Sequence, residues 1–197
     1  QSPILNESFT KLIREKMELD HDGVIQYKCQ DSDPELGRPD IAGYKDGQLR
    51  VLCEAKFYAG LTENQPVSYI KRLQTENTLD NGLIFICPKS RMTSLWNKLS
   101  DLCIKAGTEG NQISEQCVRY SNVYMSIISW NEIIADLLIV ATERDPERLG
   151  DVRQLQGFCD RIESEAFIPF SPQELGPQTA RDMDSTKRAA RVQFPTS

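Results

Sequence analysis

An α/β domain built on a mixed sheet is the architecture this sequence predicts, and three observations predict it. Apolar residues recur at helical spacing in one set of segments, and short runs rich in Val, Ile and Leu stand between them. Turn signals such as Asp46-Gly47 and Asn81-Gly82 fall where strands have to begin or reverse. Helical and strand-like segments largely alternate, which implies layers rather than a bundle or a sandwich. At 197 residues the chain suits one domain with an appendage.

Residues 6–19 predict the first helix, with Asn6 as cap and Phe9, Leu12, Ile13 and Met17 on one apolar face. Residues 24–29 predict a strand, and 30–38, with Pro34 and Gly37, a loop. Residues 41–44 and 49–57 predict two strands joined by the turn Lys45-Asp46-Gly47-Gln48. A helix over 62–74 follows, with Thr62 and Gln65 spaced as a capping box and Pro66 in the first turn, where its missing N–H is harmless. After Asp80-Asn81-Gly82 comes an apolar strand, 83–87, which Pro88 ends. Residues 92–106 predict an amphipathic helix with Leu95, Trp96, Leu99, Leu102 and Cys103 inward; 123–128 a strand; 130–142 a helix. The expected order is therefore αβββαβαβα.

Past Glu143 the composition changes. Residues 145–151 form a charged linker, 152–166 a helix with Leu155, Phe158, Cys159 and Ile162 on one side, and 167–170 an apolar cluster. The expected organisation is a first domain over 1–142, a helical extension over 143–175, and a weakly ordered polar tail over 176–197 that carries Lys187, Arg188 and Arg191. The extension is a candidate for self-association or for docking a partner protein.

Composition excludes several classes. Apolar residues make up 39% and charged residues 26%, a globular balance. No apolar run approaches the roughly 18 residues that cross a bilayer, so no membrane partner is expected. No basic-then-apolar leader stands at the N-terminus, and a cytoplasmic setting is the expectation. The six cysteines form no C-x-x-C pair and read as reduced, buried, small apolar residues rather than zinc ligands or disulfides. The single histidine, His21, sits between Asp20 and Asp22 and reads as a solvated loop residue. Any chemistry then belongs to carboxylates, lysine and hydroxyls. A net charge of −6 and a pI near 5.0 argue against a general nucleic-acid coat protein while leaving room for a local phosphate-binding surface.

The stretch with chemical content is Arg38-Pro39-Asp40, then a hairpin, then Glu54-Ala55-Lys56. Asp40 and Glu54 can give carboxylate oxygens to Mg²⁺, with the Ala55 carbonyl as a further ligand; magnesium keeps several waters and needs few protein oxygens. Lys56 lies two residues beyond Glu54 on the same strand face, where its ammonium can orient a water or stabilise a phosphate. The alternative is an ordinary solvated strand edge on which Glu54 and Lys56 merely pair. A geometric condition separates the two. With a two-residue Asp46-Gly47 loop, position 40 faces 53 and the acids point to opposite sides of the sheet. A three-residue loop with Gly47 in a bulge pairs 44 with 48, sets Asp40, Glu54 and Lys56 on one face, and leaves Ile41, Leu49, Val51, Cys53 and Ala55 as core on the other. That apolar pattern selects the three-residue loop.

Gln65 and Tyr69 stand four apart after this strand and share a helix face. With the preceding residues, Gln65-Pro66-Val67-Ser68-Tyr69 resembles the Q-x-x-x-Y motif of RecB-like and lambda-exonuclease-like members of the PD-(D/E)XK nuclease superfamily. The resemblance spans roughly residues 6–130 in element order, and its specific residues lie between 39 and 69. It implies a restriction-endonuclease-like αβββαβ core with a mixed central sheet, and a Mg²⁺-dependent endo- or exonuclease acting on DNA, with Mn²⁺ as a substitute ion. By the same resemblance Asp40 and Glu54 bind the metal, Lys56 assists the attacking water, and Gln65 and Tyr69 hold either substrate or the site itself. A first-helix acid often joins the metal in that family; Glu7 is the candidate here and Glu15 the second choice. Arg38, Lys71 and Arg72 are near enough in sequence to meet phosphates, though surface solvation is the favoured reading of each. Of Phe57 and Tyr58, one can stack on a base in an open strand, with core packing the favoured reading of Phe57. The setting implied is DNA repair or phage defence. The competing class is a module of this fold without turnover, binding nucleic acid or a protein partner.

Overall fold

The computed structural model describes residues 2–19, 23, 25–29, 38–57, 60–61, 65–76, 78 and 80–166. Along the chain these form α1 (Pro3–Met17), β1 (Gln26–Cys29), β2 (Ile41–Lys45), β3 (Gln48–Ala55), α2 (Val67–Gln74), β4 (Asn81–Cys87), α3 (Met92–Lys105), β5 (Asn111–Ser114), β6 (Cys117–Tyr120), β7 (Val123–Ser129), α4 (Trp130–Arg144) and α5 (Leu149–Ala166). The strands make one mixed sheet in the order β1-β2-β3-β4-β7-β6-β5. β3, β4 and β7 run parallel to one another, and the flanking pairings on both sides are antiparallel. The expected α/β class with a mixed sheet is what the chain adopts.

Sequence explains the position of β4 at the middle of this sheet. Every one of its residues is buried, and it is apolar without alternation from Leu83 to Cys87, the pattern of a parallel strand covered on both faces. One cover is α2 and α3: Ile70, Leu73, Leu95 and Leu99 pack with Ala42, Leu52, Leu83, Phe85 and Ile127. The other is α1 and α4: Ile13, Met17 and Ile133 pack with Val51, Cys53, Ile84, Ile86 and Ile128. Alternate residues of each central strand thus enter opposite cores, giving three layers.

Several boundaries differ from expectation. α1 begins at Pro3 because Ser2, not Asn6, is its cap: the Ser2 Oγ accepts from the Leu5 N–H at 3.2 Å, and Pro3 suits a first helical position. Asn6 instead donates from Nδ2 to the Ile25 carbonyl at 2.8 Å. α2 starts at Val67, with Pro66 before it and a cis Gln65–Pro66 bond; Thr62 lies outside the described residues. The short antiparallel pair β5–β6 is unforeseen. Within 145–151, expected as a linker, Pro146–Arg148 form a 3₁₀ turn and Leu149 already opens α5. Five cysteines are buried and free, as expected, while Cys29 is exposed.

The chain divides into two units, Gln1–Glu163 and Ser164–Ser197. The expected apolar cluster at 167–170 and the tail at 176–197 lie outside the described residues, as does His21. Among the described residues no helix is long and apolar enough to cross a membrane.

Candidate active site

The site depends on a register that the hairpin reaches by an unexpected route. The β2–β3 turn is the two-residue one: Lys45 pairs with Gln48, and Asp46 and Gly47 sit at φ 52° and 79°, the mirror-image turn that Asp-Gly favours. Alone it would put Asp40 across from Cys53. The three-residue expectation is therefore corrected, yet the parity it was meant to supply is present. Between Tyr44↔Leu49 and Gly43↔Val51 the strand β3 advances two residues while β2 advances one. Arg50 is the extra residue of a β-bulge, and from there on Ile41 faces Cys53. The next position up sets Asp40 opposite Glu54. The bulge also sends Leu49 to the α2 side and Val51 to the α1 side, so Leu49 does not share the face expected of it.

Glu54 and Lys56 accordingly point to the side of the sheet that α2 covers, and both are buried, each 6% exposed. Lys56 Nζ lies 2.8 Å from Glu54 Oε1. The Lys56 backbone N–H donates to the Ile86 carbonyl at 2.7 Å, extending the β3–β4 pairing one residue past β3. Gln65 and Tyr69, 6% and 2% exposed, close the cluster. Gln65 Nε2 donates to Glu54 Oε1 and to the Tyr69 hydroxyl, both at 3.0 Å, and that hydroxyl donates to Glu54 Oε2 at 3.2 Å. Burial first, and then the Glu54 charge, push the Tyr69 phenol far above its ordinary range. Its proton therefore stays on oxygen and the bond to Glu54 persists.

Asp40 stands at the mouth. It is exposed, and its Oδ2 accepts from the Ala55 N–H at 2.8 Å, which fixes it beside the Glu54–Lys56 segment. Its charge also contributes to the upward shift of the Tyr69 phenol. Asp40, Glu54, Ala55, Lys56, Gln65 and Tyr69 are thus gathered in one place. Of the two roles open to Gln65 and Tyr69, the contacts made are to Glu54.

The remaining expected residues lie apart. Glu7 is exposed and pairs with Arg144 of α4 at 3.4 Å, on the α1–α4 side, so the first-helix acid does not join the cluster. Glu15 pairs with Lys11 at 3.7 Å. Arg38 is exposed two residues before Asp40, Lys71 is exposed on α2, and Arg72, expected in solvent, is buried. Phe57 turns to the opposite side from Lys56, stacking on Trp130 (ring centroids 5.2 Å apart, planes 9° apart) and meeting Phe158 edge-on at 5.9 Å.

Could these residues hold Mg²⁺? Among the described residues no group of three or more His, Cys, Asp and Glu side chains could hold a metal; the side chains of the expected ligand set found here are the pair Asp40 and Glu54. That pair suits an ion which keeps most of its waters. Oxygen accounting allows it as well. A carboxylate offers about four lone-pair directions, and Glu54 uses three, two on Oε1 and one on Oε2. Among the described residues, one direction on Oε2 is left without a donor. That the Gln65 amide binds this acid was not fixed beforehand; its signals were the four-residue spacing from Tyr69 and the Q-x-x-x-Y resemblance.

In comparisons with known proteins, no family model, no curated protein and no solved structure matches this chain.

Proposed function

We propose that this chain is a metal-dependent nuclease of the PD-(D/E)XK kind, hydrolysing phosphodiester bonds in DNA, with α1-β1-β2-β3-α2-β4 as its restriction-endonuclease-like core. The observation that carries the reading is the Glu54–Lys56 pair at 2.8 Å with Asp40 anchored at Ala55. An acid, an acid and an amine meet at the end of a parallel strand, the position where open α/β sheets bind their ligands. Asp40 and Glu54 would hold Mg²⁺, which supplies Lewis acidity to the phosphate and to a bound water.

The chain's own groups have distinct tasks. Gln65 and Tyr69 fix the Glu54 carboxylate, so that its free lone pair keeps one direction. Lys56 carries three N–H donors and can spend those not given to Glu54 on a water or a phosphate oxygen. Burial of the cluster lowers the local dielectric and strengthens these charge interactions. Arg38, exposed before Asp40, is the nearest cation in sequence to meet a flanking phosphate.

One observation favours a second reading, a module of this fold that binds without turnover. Three internal donors already satisfy Glu54, so the cluster is self-sufficient without an ion. Incubating linear, nicked and single-stranded DNA with Mg²⁺ or Mn²⁺, beside a Lys56→Ala variant, decides between them. Metal-dependent cleavage that falls at least about a hundredfold in the variant is the expected result. Binding without cleavage by either protein would establish the module instead.

A further inference from the structure

We propose that Lys56 is the built-in counter-cation of this site, and that its ammonium and a divalent ion compete for Glu54. The inference rests on the metal-site reading above and concerns how the ion enters. Both side chains are buried, and an ionised carboxylate out of water has to be compensated by a partner. Lys56 Nζ, 2.8 Å from Oε1, is that partner; Gln65 and Tyr69 add neutral donors only.

The geometry makes competition unavoidable. Oε1 gives both of its lone pairs to Lys56 and Gln65, and Oε2 gives one to Tyr69. An ion sharing Glu54 with Asp40 either displaces the ammonium from Oε1 or takes the open direction on Oε2. In the second case two cations flank one carboxylate, at separations where like charges repel strongly in a poorly hydrated pocket. In both cases Lys56 lowers the affinity of the site. The same repulsion loosens the ammonium from Glu54 when the ion arrives, and frees its donors. Lys56 then changes partner on metal entry, and Glu54 faces a cation before and after.

The test is Mn²⁺ binding, read from the electron paramagnetic resonance of the free ion, together with the rise in melting temperature that Mn²⁺ produces. Wild type, Lys56→Met, Lys56→Gln and Glu54→Gln are compared at one pH. Expected are binding at least about tenfold tighter in Lys56→Met, a larger Mn²⁺-induced thermal shift than in wild type, and loss of binding in Glu54→Gln. A Lys56→Met chain that folds only with Mn²⁺ also supports the proposal, because the ion then replaces the missing ammonium. If Lys56→Met fails to fold in either condition, Lys56→Gln, which keeps a neutral donor to Oε1, carries the measurement with the same expectation. Equal or weaker binding in the uncharged variant, with wild type binding through Glu54, overturns the competition and leaves the metal site standing. Absence of Mn²⁺ binding in all four proteins overturns both.

Discussion

Tyr69 shows how much of this site depends on single atoms. Its ring belongs to the core beneath α2, while its hydroxyl is one of three donors to Glu54. A hydrogen bond to a charged group contributes about 1.5–3 kcal/mol. Tyr69→Phe should therefore lower stability by about that amount in thermal or denaturant unfolding. Supports of metal ligands typically carry about 10–100-fold of affinity, so Mn²⁺ binding should weaken on that scale. The pH dependence has a definite sign. The phenol is shifted up from its ordinary 10.0, so its stabilisation is complete below pH 10 and is lost as the pH rises further. The gap between wild type and Tyr69→Phe should narrow above pH 10; a gap that widened there would contradict the burial of this hydroxyl against Glu54. At this scale the sequence was informative about Glu54 and Lys56, since a two-residue spacing on a strand guarantees a shared face. It was silent on what Gln65 and Tyr69 touch, because helix spacing fixes a face and not a partner.

At the scale of elements, the hairpin is instructive because the required parity was legible and its cause was not. The alternation of Ile41, Val51 and Cys53 against Asp40 and Glu54 demanded an even register, and the chain has it. The turn, however, follows the local preference of Asp46-Gly47, and Arg50 repairs the count downstream. A bulge has no residue signature comparable to Asp-Gly, so its position could not be read. Excising Arg50 should consequently leave Ile41 opposite Cys53 and Asp40 beside Ala55, since the two-residue turn then counts correctly by itself. The deletion removes the Arg50 bond to the Asp80 carbonyl at 2.7 Å, so a loss of about 1 kcal/mol is expected. Circular dichroism and Mn²⁺ binding should be retained; a deletion variant that folds but no longer binds Mn²⁺ would show the bulge itself to be needed. Elsewhere, long apolar segments such as β4 and α4 were legible within two residues. β5 and β6 were not, being four residues each, with β5 largely polar and exposed. α4 also owes its start to a capping box, Ser129 with Glu132, which the strand-to-helix boundary at 128–130 had concealed.

At the scale of the molecule, cohesion around the site runs through aromatic rings. Phe57 directly follows Lys56 and stacks on Trp130 at the first position of α4, while Phe158 of α5, 47% exposed, meets it edge-on. One side chain thus joins a central strand to two helices from later in the chain. Phe57→Ala should cost about 3 kcal/mol, equivalent to about 6–12 °C in melting temperature for a protein of this size. Amide exchange should accelerate most in α5. Equal exchange in α5 before and after the substitution would show that this helix is held by other contacts.

The strand order carries a kinetic consequence. β2 and β3 meet across a two-residue turn, whereas β4 reaches β3 only after α2, and β7 reaches β4 after α3 and the β5–β6 pair. Loop closure makes such distant pairings slow relative to a tight hairpin. The strands that bring Asp40 and Glu54 together can therefore pair early in folding, with the lysine and acid still in water and unprotected by the later helices. Pulse-labelled hydrogen exchange should find the Ile41 and Cys53 amides, which face each other across β2 and β3, protected before those of Ile84 and Ile127.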